Sequence, residues 1–360
     1  MDRKRIIIGF ALGCILVLSG CRREVLPDEG GNLIRFSMGA ALTSQTEPAT
    51  KFGDMKEGES FASGDEVLVY GRRNTDDNVF DGVTVTRNDS GWSYATPQYW
   101  NWASSTDYYD FLAVYSPSGV SLQTNYDGAS DPLELKVMYN VASAQYDLML
   151  AGKHRNYNDG ENRLERVSLN FKHMLCAVKV NVTNGSSART FILKGYHFEN
   201  LVVTGTALVT ATYDAQGNPA FAWDEKSRLG MSVGGGKVYD SNGKLGQEIG
   251  FEDSNKFYYF DGWDLMIPQN HNEKFGSSYP ALVVDYTLPG DNPTDIHARV
   301  LLKDVLTDAG VPAIPSWEVG KRYCYEITIS LDGGVQVRVT TTDWENVAAE
   351  TPGLLIPPDL

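Results

Sequence analysis

The cysteine at position 21 is the residue whose surroundings most clearly indicate chemistry. It completes the order Leu-Ser-Gly-Cys after an apolar run at residues 6–18, and basic side chains at residues 3–5 precede that run. The run is too short to span a bilayer, and the whole segment is typical of a signal peptide. Small residues before a cysteine resemble a lipobox, in which the thiol accepts diacylglycerol before cleavage. We therefore predict removal of residues 1–20 and lipidation of Cys21, rather than a secretory signal with an incidental cysteine.

Other residues that could catalyse a reaction or bind a metal are scattered. The sequence lacks paired histidines at zinc-site spacing and the GxxxxGK[ST] pattern that cradles a phosphate. The acidic residues 74–82 lack the ligand alternation and final glutamate of a calcium loop, so we interpret them as a solvated turn. We predict no enzymatic activity, no metal site and no cofactor. The five histidines are His154, His173, His197, His271 and His297.

Two dense aromatic groups admit two interpretations. Aromatic faces stack on sugars, so exposed groups would form a glycan-binding surface. The alternative, which we favour, is that they pack inside β-sandwiches. The first group is Trp92, Tyr94, Tyr99, Trp100 and Trp102, and the second is residues 257–260 with Trp263.

The charge of the chain excludes one class of partner. After residues 1–20 are removed, 28 basic and 45 acidic residues remain, without a Lys/Arg cluster. Such a surface repels phosphate backbones, so we exclude nucleic acid as a partner. Cysteine use is equally sparse, because only Cys176 and Cys324 could form a disulfide. Strand parity directs Cys176 into a core and Cys324 to the face opposite Tyr325, so we expect no disulfide between them.

Apolar residues recur with a period of two along most of the chain, which predicts an all-β fold. Residues 108–115 and 281–288 are examples. Residues 167–182 change parity, which predicts a break at Lys172 and His173. Residues 227–255 contain seven glycines and are interpreted as a long exposed loop.

About 340 mature residues exceed what one hydrophobic core usually organises. The polar run at residues 183–188 is the best candidate for a boundary. We therefore predict an N-terminal domain at residues 21–185 and a C-terminal domain at residues 186–360.

The first predicted strand has one apolar face. Ile34, Phe36 and Met38 alternate with Arg35 and Ser37, which is the pattern of a strand with one side buried. Burying the three apolar side chains contributes roughly 5–9 kcal/mol. The strand is therefore expected to be important for the stability of its domain.

Several blocks, in order along the mature chain, resemble the fimbrillin family of Bacteroidetes surface fimbriae. The lipobox precedes the first of them. They are residues 32–38, 61–70, 91–94, 99–100, 109–115, 146–151, 167–175, 265–269, 317–327 and 343–344.

The resemblance implies two transthyretin-like β-sandwich domains in tandem on a lipoprotein that is exposed at the cell outer membrane. It also implies assembly with other fimbrial subunits, as a homo- or heteropolymer, by strand exchange. In that family a protease cuts after a basic residue behind the first strand, that strand leaves, and a neighbour's strand fills the groove. The first arginine after this strand is Arg72, so Lys51 and Lys56 are the candidate cleavage sites. The alternative to cleavage is that the chain is an uncleaved anchor or a tip subunit.

The strand to be displaced would be the one that carries Ile34, Phe36 and Met38. The candidate donor segment is Leu354, Leu355 and Ile356, beyond Trp344. The leading hypothesis is therefore an adhesive fimbrial subunit. The alternatives are a surface lipoprotein that binds glycans or host proteins without polymerising and, less favoured, a hydrolase with an unrecognised site.

Overall fold

The computed structural model describes most of the chain between residues 32 and 344. The described residues are 32–40, 61–75, 77–115, 122–143, 145–215, 217–228, 233–239, 241–250, 257–260, 262–307, 315–330 and 334–344. Cys21, Lys51, Lys56 and the donor segment at residues 354–356 lie outside these residues.

The fold is all-β, as the period-two pattern predicts. Two 3-10 helices, Tyr157–Leu164 and Leu302–Asp304, are the helical segments within the described ranges. The strands in chain order are β1 (Phe36–Ala40), β2 (Glu66–Arg73), β3 (Asp77–Asn88), β4 (Gly91–Ser93), β5 (Tyr108–Tyr115), β6 (Gln123–Asp127), β7 (Glu134–Asn140), β8 (Met149–Asn156), β9 (Val167–His173), β10 (Cys176–Asn184), β11 (Phe191–Glu199), β12 (Val202–Tyr213), β13 (Pro219–Arg228), β14 (Val233–Lys237), β15 (Gln247–Ile249), β16 (Phe257–Tyr259), β17 (Asp264–Met266), β18 (Ala281–Leu288), β19 (Thr294–Leu301), β20 (Leu306–Thr307), β21 (Lys321–Ile329) and β22 (Val335–Asp343).

The N-terminal strands form a seven-stranded sheet in the order β1-β9-β8-β5-β2-β3-β4. The two end strands, β1 and β4, approach each other, so the sheet curls around its inner face. That face carries a core of its own, which we call the closed core. Its members include Ile34, Phe36, Phe61, Phe80, Trp100, Phe111 and Phe171, each of which is at most 4% exposed.

The opposite face of the seven-stranded sheet packs into a larger core that both halves of the chain build. Leu112, Val114 and Leu150 of the first half lie in this core with Val209 and Ile327 of the second half. Three further sheets surround it. Their strand orders are β13-β12-β7-β6, β14-β11-β18-β19 with β15 on β11, and β16-β10-β21-β22-β20 with β17 on β10.

The division into domains at 185/186 stays a prediction. The strands change partners earlier, because β9 pairs with β1 and β8 while β10 pairs in parallel with β21. In addition, β7 of the first half pairs with β12 of the second half. Hydrogen-bonded sheets therefore connect the two halves of the chain.

Three local expectations need adjustment. The predicted break at Lys172 and His173 falls two residues later, since β9 ends at His173 and β10 begins at Cys176. Residues 74–82 do not form one solvated turn. A turn at Asn74, whose φ is 55°, leads directly into β3.

The glycine-rich residues 227–255 were also expected to be a loop, which is wrong in part. Strands β14 and β15 lie within this region, and both pair with β11. Gly235 has a φ of 89°, and a Cβ there would lie 2.1 Å from the Tyr196 carbonyl oxygen. The glycines therefore allow close backbone pairing in a region whose glycine content suggests a loop.

The described cysteines form no disulfide bond. The buried Cys176 thiol donates to the Met266 carbonyl at 3.3 Å, and burial raises its pKa well above the usual value. The half-buried Cys324 accepts a contact from the Asn181 side chain at 3.1 Å. Both positions agree with the strand parity.

Candidate functional site

The candidate site is the slot that holds β1. On one side β1 pairs in parallel with β9, with Phe36 opposite Val167 and Met38 opposite Leu169. The Val167 amide donates to the Arg35 carbonyl at 2.7 Å, just before the strand. β1 therefore forms the end of the sheet order and has a single strand as its regular partner.

A short segment holds the other side of the same stretch. We call residues 98–100 the clasp. The Ile34 amide donates to the Gln98 carbonyl at 2.9 Å, and the Trp100 amide donates to the Asn32 carbonyl at 2.7 Å. Leu33 and Tyr99 form an antiparallel bridge between them. The residues that enter β1 are thus hydrogen-bonded on both sides, which fixes their register.

Tyr94 adds a side-chain contact to this backbone frame. Its hydroxyl donates to the Ile34 carbonyl at 2.6 Å. Burial raises the pKa of Tyr94 to about 12, although a hydrogen bond with the Gln98 backbone opposes the shift. The hydroxyl therefore stays protonated and keeps donating to β1 at physiological pH.

The floor of the slot is aromatic. Ile34 is fully buried and Phe36 is 1% exposed. The Phe36 ring makes edge-to-face contacts with Phe80 at 5.4 Å and with Tyr94 and Phe111 at 5.9 Å each. Met38 is only partly buried at the edge of the closed core. The structure thus brings together the side chains of the predicted displaced strand, with Phe36 at the centre.

The first aromatic group forms part of this core rather than an open surface. Trp100 is 4% exposed, and it stacks on the half-buried Trp102 with ring centroids 5.4 Å apart and an angle of 15°. Trp92 and Tyr94 are partly buried against the same core. Tyr99 is the exposed member, at 50%. The placement fits the interpretation as sandwich core.

The second aromatic group is also largely enclosed. Phe260 and Trp263 are buried. The Trp263 ring faces the Arg322 guanidinium at 5.0 Å and the Lys179 ammonium at 5.6 Å. These cations occupy the neighbourhood of the ring, which leaves no open aromatic platform at Trp263.

The histidines are spread over separate sites. His173 contacts Asp147 at 2.8 Å, His271 packs edge-on against Trp317, and His197 and His297 both approach Asp285. His154 bonds to Asp110 at 2.7 Å. Among the described residues, no group of three or more His, Cys, Asp or Glu side chains is arranged to hold a metal ion.

The described chain ends at a buried anchor. Trp344 is 3% exposed, and its amide donates to the Gly320 carbonyl at 2.8 Å. Its ring stacks on His173 with centroids 4.2 Å apart, and the Arg322 guanidinium lies 5.7 Å away. The segment that carries the candidate donor residues therefore begins from a fixed point.

The sequence predicts β1, but it does not predict that the clasp and Tyr94 hold this strand. Both lie about 60 residues beyond β1, and their shared contact depends on how the sheet curls. A hydroxyl donor and a backbone bridge leave no periodic signal in the sequence.

Within the part of the chain that is described, no helix is long and apolar enough to cross a membrane.

Comparison with known proteins identifies the family. The model of the family described as fimbrillin-like matches residues 54–344. No curated protein sequence matches the chain.

The chain is similar to several solved structures. A candidate cell adhesion protein from Bacteroides uniformis is 19% identical, with 79% of this chain and 93% of that chain covered and a TM-score of 0.41. A fimbrial protein from Bacteroides vulgatus is 12% identical, with 87% of this chain and 99% of that chain covered and a TM-score of 0.46. The C-terminally truncated tip fimbrial protein Mfa3 from Porphyromonas gingivalis is 10% identical, with 78% of this chain and 95% of that chain covered and a TM-score of 0.36. The family match, which spans most of the sequence, confirms the resemblance, and the chain belongs to the fimbrillin-like family.

Proposed function

We propose that this protein is an adhesive subunit of a surface fimbrium, which joins its neighbours by exchange of β1. A lipid on Cys21 would deliver it to the outer membrane. Membership in the fimbrillin-like family supports the fimbrial role. The observation that carries the strand-exchange proposal is the position of β1, an end strand whose apolar face lies at the centre of the closed core.

The energetics of β1 explain why it would be replaced rather than lost. Burial of Ile34 and Phe36 alone contributes about 3–6 kcal/mol, and Met38 adds part of another such contribution. A whole domain is stable by only about 5–15 kcal/mol. An empty slot would therefore destabilise the subunit severely, whereas a strand from another molecule would restore the buried surface by β-augmentation.

The chain offers a place for cleavage that spares the described strands. Lys51 and Lys56 lie between β1 and the buried Phe61, before β2 begins at Glu66. Cleavage at either lysine would separate β1 from the rest of the sheet covalently. β1 would then be held only by β9, the clasp, Tyr94 and its own side chains.

The replacement strand would come from the segment after Trp344. In an extended strand, Leu354 and Ile356 share one face and Leu355 points to the other. Two apolar side chains on one face can take the places of Ile34 and Phe36. The anchor at Trp344 would stay within the donor's own fold, so donation need not remove β22.

The test is limited proteolysis followed by analysis of oligomers. The mature protein is trypsinised and examined on an SDS gel without heating, beside a variant that ends after Trp344. We expect a ladder of oligomers from the full chain and none from the truncated variant. A Lys51→Gln/Lys56→Gln double variant serves as the control, because trypsin then has no site between β1 and β2, and it should remain monomeric.

Two outcomes would contradict the proposal. Equal ladders from the full and truncated chains would eliminate the C-terminal donor. No ladder from the cleaved full chain would eliminate strand exchange and favour the second candidate, a surface lipoprotein that binds glycans or host proteins without polymerising. The absence of an arginine between β1 and Arg72 is the observation that favours this second candidate.

A further inference from the structure

A cleft lies beside β1, on the side away from the closed core. Its volume is about 510 Å³, and its polar lining consists of Arg35, Ser37, Arg155, Glu165, Arg166 and Ser168. We call it the arginine cleft. It forms where the chain enters β1, β8 ends and β9 begins, so two distant parts of the sequence, residues 33–37 and 155–168, contribute to it.

The charge of the cleft is opposite to that of the protein. Three guanidinium groups and one carboxylate line it, whereas the whole chain has a net charge of −15. A Cβ on Gly91 would lie 3.9 Å from Nη1 of Arg166 and 3.9 Å from Nη1 of Arg87, so a fourth guanidinium stands nearby. Like charges that gather in this way repel each other, and an anion placed between them would relieve the repulsion.

The cleft orients Arg155 and Arg166 without neutralising their charges. Arg155 donates through Nη2 to the backbone carbonyl of Arg166 at 2.9 Å, which orients its guanidinium without removing its charge. In the described part of the chain, neither of these two arginines forms an ion pair. Guanidinium groups bind carboxylate and sulfate oxygens through paired, charge-assisted hydrogen bonds. Oxyanions are thus the ligand groups that the cleft fits.

The remaining lining indicates what carries the oxyanion. The volume exceeds that of a lone anion several-fold, since a water molecule takes up only about 30 Å³. Ser37 and Ser168 can exchange hydrogen bonds with hydroxyl groups, and Leu33 and Leu164 provide apolar surface in the lining. A sugar ring combines hydroxyl groups with an apolar face. We propose that the arginine cleft binds one acidic sugar unit, which bears a carboxylate or a sulfate group.

The arginine cleft does not require strand exchange. Arg35, just before β1, and Ser37, within it, supply one wall of the cleft, so the site is complete while β1 is in place. The experiment therefore uses the mature, uncleaved protein. Failure of the oligomer ladder would leave this site untouched, and failure of the ligand test would leave the ladder untouched.

The test is calorimetric titration at low salt with three probes. They are the methyl glycoside of D-glucuronate, methyl glucoside as its neutral counterpart, and inorganic sulfate as the free oxyanion. We expect binding of the glucuronide, weaker binding of sulfate, and no heat from methyl glucoside. Arg166→Gln and Arg35→Gln should each weaken glucuronide binding by at least about tenfold, because each removes a charge-assisted contact.

Arg338→Gln is the matched control. Arg338 is an exposed arginine on β22 outside the cleft, so the same charge change there should leave the affinity unaltered. Unchanged melting temperatures would show that the variants are folded. Equal binding of glucuronide and methyl glucoside, or an equal loss in Arg338→Gln, would overturn the site. Sulfate binding as tight as that of the glucuronide would overturn the assignment to a sugar.

Discussion

Replacing Phe36 with alanine tests whether β1 depends on one central side chain. The change removes a ring that is 1% exposed and that contacts three other aromatic rings. Truncation of a buried phenylalanine costs about 3–5 kcal/mol, because the transfer term is lost and a cavity remains. The upper half of this range applies here, since each edge-to-face pair contributes about 0.5–1.5 kcal/mol beyond its area.

The assay is urea denaturation of the mature protein followed by tryptophan fluorescence. Trp100 contacts Phe111 in the closed core, at a centroid distance of 5.9 Å, so loss of this core changes its surroundings. Two neighbours provide controls. Met38→Ala should cost about 1–2 kcal/mol because Met38 is only partly buried. Ser37→Ala should stay within about 0.5 kcal/mol.

The ranking of the three variants decides the outcome. A loss in Phe36→Ala that is no greater than in Met38→Ala would refute the claim that Phe36 is the centre of the slot. The central position of the Phe36 ring also predicts that trypsin-cleaved Phe36→Ala releases β1 faster than cleaved wild type. Equal release rates, measured by mass spectrometry of the freed peptide, would contradict it.

The remaining predictions concern the lipid on Cys21, a histidine and a tyrosine. Cys21→Ala should move the protein from the membrane fraction to the soluble fraction, and unchanged fractionation would eliminate lipidation. Burial lowers the pKa of His154, but the hydrogen bond and charge of Asp110 outweigh it and raise the pKa above 6.5 overall. The stabilisation that protonated His154 gives the folded protein is therefore complete below about pH 6.5 and is lost as pH rises through the raised pKa. The melting temperature should fall over the same pH range. His154→Gln should abolish this fall, whereas the exposed control His297→Gln should retain it. Tyr94→Phe should cost about 1 kcal/mol through the lost hydrogen bond to β1, and no change in urea midpoint would contradict that role.

The sequence predicts those parts of the fold that local periodicity controls. Strands β5 and β18 occur at the predicted residues 108–115 and 281–288. The burial of Ile34 and Phe36 also follows from alternation, since a strand with one apolar face places it against a core. These features depend on neighbouring residues, which a single sequence contains.

Features that depend on distant contacts were not predictable in this way. Strand β12 contains Gly205, which weakens a strand pattern, yet a Cβ there would lie 3.1 Å from the Trp223 ring. The polar run at residues 183–188 suggested a boundary, but Asn184 is fully buried within β10. Its amide donates to the carbonyls of Arg189 and Ile249 at 2.8 and 3.0 Å. The carbonyl of Ile249 therefore satisfies the Asn184 amide, a polar group whose place in the sequence suggested that it faces solvent.

The arginine cleft shows the same limit for the functional sites. Arg35 and Arg166 are more than a hundred residues apart, and neither belongs to a basic run in the sequence. They meet because β1 pairs in parallel with β9, which brings the starts of both strands together. The register between these strands is therefore the information that the sequence pattern lacks.

Electron microscopy of the purified mature protein after limited trypsin treatment is the decisive test of assembly by strand exchange. Exchange of β1 predicts filaments in the cleaved sample and single particles in the Lys51→Gln/Lys56→Gln variant under the same conditions. Cleaved protein that has lost β1 and yet remains monomeric would contradict assembly by strand exchange.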